Sequence, residues 1–142
     1  MCLKRSEISA SFQCAEDYVS FEIAKLLKEK GFDEECIYVY RHDGEEDIWD
    51  ADKEDIACQK PTLQMAMKWL REVHKMYVCI DIKCFMPHLG KIDGYSVCIW
   101  YKPENNAGIC CYWVYPPKQQ EAWDTYEEAA EAAIKYCLEN LI

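Results

Sequence analysis

The sequence predicts an α+β two-layer sandwich, order α-β-α-β-β-β-α, a mostly antiparallel sheet with helices on one face. Three observations lead there. Apolar residues recur at helical spacing in three segments, over 20–31, 61–75 and 124–142. Four runs rich in β-branched and aromatic residues, near 36–40, 77–84, 95–102 and 109–115, read as strands. The last three strands follow one another with only turn chemistry between them, which favours an antiparallel meander. A chain of 142 residues fits one domain. Residues 1–17 lack periodicity and read as a loose lead-in, leaving 18–142 as a single α+β domain.

Ser20 is the N-cap of the first predicted helix, with Glu22 in its first turn and Gly31 as its C′ stop. Its apolar face holds Phe21, Ile23, Ala24, Leu26 and Leu27. Residues 36–40 form the first strand. Residues 43–55 then carry eight acids and one lysine, a net −7, and read as a solvated loop or a loop with a short helical turn at Ile48 and Trp49. Thr62 caps the second helix, in which Leu63, Ala66, Met67, Leu70 and Val73 share a face, ending near His74 or Lys75. In 77–84, Val78, Ile80 and Ile82 alternate with Cys79, Asp81 and Lys83, a half-buried strand. Pro87–Gly90 and Asp93–Gly94 are turns, and residues 103–108 are a hairpin connection. Asp124 and Glu127 have the spacing of a capping box at the last helix. Tyr126, Ala130, Ala133, Ile134, Cys137, Leu138 and Leu141 line its face.

The formal net charge is −10, from 16 Lys+Arg against 26 Asp+Glu. That charge disfavours direct nucleic-acid binding and anionic membranes. No apolar run approaches the ~18 residues of a membrane span. Residues 1–20 contain no apolar export segment, so the ten cysteines are expected as reduced, largely core-filling thiols in the cytoplasm.

Several chemistries fail on spacing. Gly90 and Gly94 are the nearest glycine pair and have three residues between them where a P-loop needs four. Gly-x-Ser-x-Gly and His-Glu-x-x-His are absent. Asp50, Asp52 and Glu54 imitate the first ligands of a calcium loop, but Asp55 stands where Gly is needed and Pro61 where a bidentate Glu is needed. No Cys-x2-Cys pair occurs, so Cys84 and His88 are the metal candidates, set below ordinary thiols. Cys–His catalysis needs a thiolate beside His42, His74 or His88, and sequence brings none together.

The aromatic strands stand out. Tyr95, Val97, Ile99 and Tyr101 share one face, with Cys98 and Trp100 on the other. Ile109, Cys111, Trp113 and Tyr115 likewise oppose Cys110, Tyr112 and Val114. Helices on one side leave the other face either bare, where Trp and Tyr are interface anchors, or covered by the lead-in or the acidic loop, or with its long cross-strand pairs only structural.

Residues 16–40 (EDYVSFEIAKLLKEKGFDEECIYVY), 61–74 (PTLQMAMKWLREVH) and 124–142 (DTYEEAAEAAIKYCLENLI) resemble a group of short proteins of gut Bacteroidales and their phages, to which no activity is assigned. Residues 77–118 match that group poorly. The resemblance implies a bacterial or phage cytoplasm, and a folded part beginning near Glu16. It carries no catalytic residue.

The expectation is therefore a non-enzymatic protein-interaction module, with no catalytic residue and no cofactor. Its partner is another protein or a second copy, met at Trp100, Tyr112 and Trp113 or at Asp47, Trp49, Asp50, Asp52 and Asp55. The alternatives are a phage or mobile-element inhibitor of a host nucleic-acid-binding or defence protein by charge mimicry, and a small Cys/His enzyme or ligand binder.

Overall fold

The computed structural model describes residues 17–49, 52–105, 108–117 and 119–142. The expected lead-in lies outside them except for Asp17, whose carbonyl accepts from the Leu63 amide at 2.9 Å. The described chain runs α1 (Phe21–Glu29), β1 (Tyr38–Arg41), β2 (Glu46–Ile48), β3 (Ile56–Lys60), α2 (Leu63–His74), β4 (Tyr77–Lys83), β5 (Gly94–Tyr101), β6 (Cys110–Val114) and α3 (Tyr126–Tyr136). A 3-10 turn (Pro87–Leu89) precedes β5, and a π-helical turn (Cys137–Leu141) extends α3. No helix among the described residues is long and apolar enough to cross a membrane.

The mixed α+β class is found, and every strand pair is antiparallel. The strands divide, however, into two sheets, β2-β1-β3 and β4-β5-β6. The expected loop 43–55 hides β2, where Tyr38, Val39 and Tyr40 pair with Ile48, Asp47 and Glu46. Strand β3 does not stand out in the sequence, because a lysine stands in its inward row. Lys60 is only 6% exposed. Its ammonium pairs with Glu46 and lies 4.8, 5.8 and 5.4 Å from the ring centres of Tyr18, Tyr38 and Tyr40. A charge with an anion and three aromatic faces around it is tolerated where a bare one is not.

Helix starts follow the capping logic. Ser20 Oγ accepts from Ile23 N, and Thr62 Oγ1 accepts from Met65 N. At α3 the cap is Thr125, one residue beyond Asp124, with Oγ1 accepting from Glu128 N at 3.1 Å. Thr125→Ala should therefore cost about 1 kcal/mol in urea unfolding and Asp124→Ala only a few tenths, the reverse of the order the capping-box spacing implies.

Helix α3 is the centre of the molecule, packing on α1, α2, β4, β5 and β6. Ala129, Ala130 and Ala133 are fully buried and let neighbouring backbone approach, while Ile134, Cys137 and Leu138 fill the core. Two expected core positions are exposed. Val73 is 58% exposed, its place on α2 taken by Trp69, and Ile82 lies near the open end of β4. The inner row of the second sheet, with Val97 and Ile99, packs against this core. Its outer row does not.

Candidate functional site

The site is built by strand register. Side chains alternate across β4, β5 and β6. Tyr77 pairs with Trp100, which pairs with Cys111. Cys79 pairs with Cys98, which pairs with Trp113. These six residues occupy one face, away from the row containing Val97 and Ile99. Tyr77 is 46%, Trp100 44% and Trp113 54% exposed. Asp81 and Lys83, at one end of β4, are the charged residues of this row.

Between the indoles lie three thiols. Cys98 is buried at the centre, and its side chain is hydrogen-bonded with Cys111 and Cys79. Burial pushes the Cys98 thiol up, and Cys111 is raised in the same way. Both are held protonated at neutral pH, which opposes nucleophilic chemistry. The cluster acts as small apolar filler that sets the two indoles apart.

Trp100 and Trp113 are thus brought together, and Tyr112 is not. Tyr112 belongs to the opposite face, because neighbouring residues on a strand point opposite ways. Its ring lies 5.2 Å from Tyr101 and 6.4 Å from Tyr136, and its hydroxyl accepts from Tyr101 at 3.3 Å. It closes the rim beside α3.

The acidic candidates scatter. Asp47 sits within β2, its carboxylate accepting from the Ile48 amide at 2.8 Å. Asp52 and Asp55 close an exposed turn through Asp55 N to Asp52 O at 2.9 Å. Asp50 lies outside the described residues. Trp49 is fixed by its amide, which donates to Ile37 O at 2.8 Å. With Ile37, Ile56, Cys36 and Lys53 it lines an open cleft of about 750 Å³ on the first sheet. Sequence reasoning missed this cleft, whose one local signal is a Trp and an Ile exposed among acids. Burial, then the charge of Glu34, raises the Cys36 thiol to about 11.

The metal and His candidates resolve simply. Cys84 Sγ donates to Lys91 O at 3.0 Å, and His88 sits in the exposed 3-10 turn. Among the described residues no three His, Cys, Asp or Glu converge as a metal site. His42 is in an exposed turn. His74 packs edge-on to Trp69 at 4.6 Å, and burial pushes its pKa down, opposite to the effect of a helix C-terminus.

The chain matches no family model, no curated protein and no solved structure.

Proposed function

We propose that this chain is a non-enzymatic protein-interaction module of the cytoplasm, and that its partner docks on the outer face of β4-β5-β6. One observation supports this above the others. Trp100, Trp113 and Tyr77 stand exposed together on a sheet face whose six paired positions carry no charge. Trp and Tyr give large contact area at low entropic cost, and they dominate binding energy when desolvated. The cytoplasmic setting is supported by Cys36, Cys58 and Cys137, which are buried as single thiols among apolar groups.

The test compares two variants as bait in a host lysate. Trp100→Ser with Trp113→Ser should lose a stoichiometric partner by at least about tenfold while the variant still folds and unfolds cooperatively in urea. Asp47→Asn with Asp52→Asn and Asp55→Asn should keep that partner. The reverse pattern sinks the aromatic-face reading and favours charge mimicry at the acidic hairpin.

A further inference from the structure

Strand β6 is the edge of its sheet, and its register fixes which of its backbone groups face outward. Tyr95 N donates to Trp123 O at 2.8 Å, and Trp123 N donates to Tyr95 O at 2.9 Å. Tyr95 also sits opposite Ile82 of β4, so its backbone groups are turned the other way, toward the side of β6. Every second residue of β5 shares that direction, and Val97, Ile99 and Tyr101 therefore bond Val114, Tyr112 and Cys110. The amides and carbonyls of Cys111 and Trp113 point away from β5, to an edge that no strand among the described residues covers. Such an edge normally carries a charge, a proline or a bulge that blocks pairing. The edge strand β4 has Asp81 and Lys83, and β2 has Glu46 and Asp47. Residues 109–115, ICCYWVY, have none of these.

We propose that a second copy of the chain pairs along this edge, β6 against β6, antiparallel about Tyr112, making one sheet of six strands from two of three. The side-chain sizes select both the occupant and the register. Within the chain, each indole of the outer face already stands opposite a thiol, Trp100 by Cys111 and Trp113 by Cys98. Self-pairing about Tyr112 repeats that match, setting Cys111 of each copy opposite Trp113 of the other, with Ile109 opposite Tyr115. Outward-pointing groups meet outward-pointing groups, as antiparallel pairing requires. A twofold contact of this kind closes on itself, whereas β6 on the charged β4 edge gives an open series.

Area sets the strength. At about 200 Å² per ring, the exposed parts of Tyr112, Trp113 and Tyr115 come to roughly 300 Å² per copy. That is under half the ~800 Å² share of a standard interface. The dimer is thus reversible, with main-chain hydrogen bonds carrying much of it. Each copy bears a net charge of −10, so added salt screens the repulsion and strengthens the pairing. The dimer presents its two outer faces side by side, a bivalent platform. The edge contact runs along the β6 backbone and shares Trp113 with the docking face, whereas Trp100 and Tyr77 belong to the face alone.

Hydrogen exchange and sedimentation on the full chain test this. The Cys111 and Trp113 amides should exchange freely in dilute protein and gain about tenfold or more protection as it is concentrated, while the mass rises from monomer to dimer. NaCl should shift the balance toward dimer. Cys111→Pro removes an outward amide without a ladder bond, and should weaken the dimer about tenfold or more. Trp100→Ser, one strand inward, should leave it intact. A strict monomer at millimolar concentration overturns the proposal, as does a series growing beyond two. So does a dimer lost in Trp100→Ser with the two amides unprotected, which would still leave the outer face as a docking surface. If Cys111→Pro fails to fold, protection of the wild-type amides decides alone.

Discussion

Gly94→Ala is expected to destabilise the protein by roughly 3 kcal/mol. Gly94 opens β5 at φ +150°, a backbone region that L side chains rarely adopt. A Cβ there would lie 2.7 Å from the Trp123 carbonyl oxygen and 2.7 Å from Ala122 Cβ. The same carbonyl accepts from Tyr95 N, so relief of the clash breaks the bridge that holds residues 122–123 beside β5. Gly31→Ala is the comparison. Gly31 has φ +98° but nothing within 4 Å, so only the backbone penalty of about 1 kcal/mol applies. Urea midpoints of the two variants separate the steric part from the conformational part. Equal losses would mean that the 122–123 segment yields without cost.

The second large effect is alkaline destabilisation. Burial raises the Cys137 thiol from 9.0 to about 12, and burial followed by the charge of Glu46 raises the Tyr40 hydroxyl from 10.0 to about 12. The Tyr40 hydroxyl also donates to Val19 O at 2.6 Å. These groups are neutral when protonated. As pH passes 9, the unfolded chain releases protons that the folded chain keeps. Unfolding then becoming coupled to proton release, stability falls with rising pH. It is intact below about pH 9 and lost progressively up to about 12. A fully buried thiol contributes a slope of about 1.4 kcal/mol per pH unit, with Tyr40 and Cys36 adding smaller shares. Urea unfolding between pH 8 and 11 measures this, and Cys137→Ala should flatten it. A wild-type profile that is level across that range contradicts the assignment.

Sequence and structure agree where one physical rule acts alone. Ser20 and Thr62 cap helices as their position implies, and the 3.6-residue period of α3 matches its buried face. The face alternation of β5 and β6 was also legible, so the neighbourhood of Trp100 and Trp113 could be read before any coordinates. Tyr112 has the size of an anchor, but its parity along β6 sets it on the other side. The acidic hairpin was illegible for a different reason. Composition marks 43–55 as solvated, and the partners that make β2 a strand, β1 and the Lys60 ammonium at Glu46, lie outside that window. The cleft beside Trp49 and Ile37 needs a three-dimensional juxtaposition that no local pattern encodes.

Helices α1 and α3 are stitched together over most of the chain. Ser20 N donates to Glu131 Oε1 at a separation of 111 residues, and Lys30 Nζ donates to Ile142 O at a separation of 112. Lys135 adds an ion pair to Glu22 at 3.0 Å. Contacts this remote in sequence form only after a long loop has closed, and that entropy is lost before their own energy is gained. During synthesis the side of α1 that packs on β3 can be covered early, while the side stitched to α3 waits for the last helix.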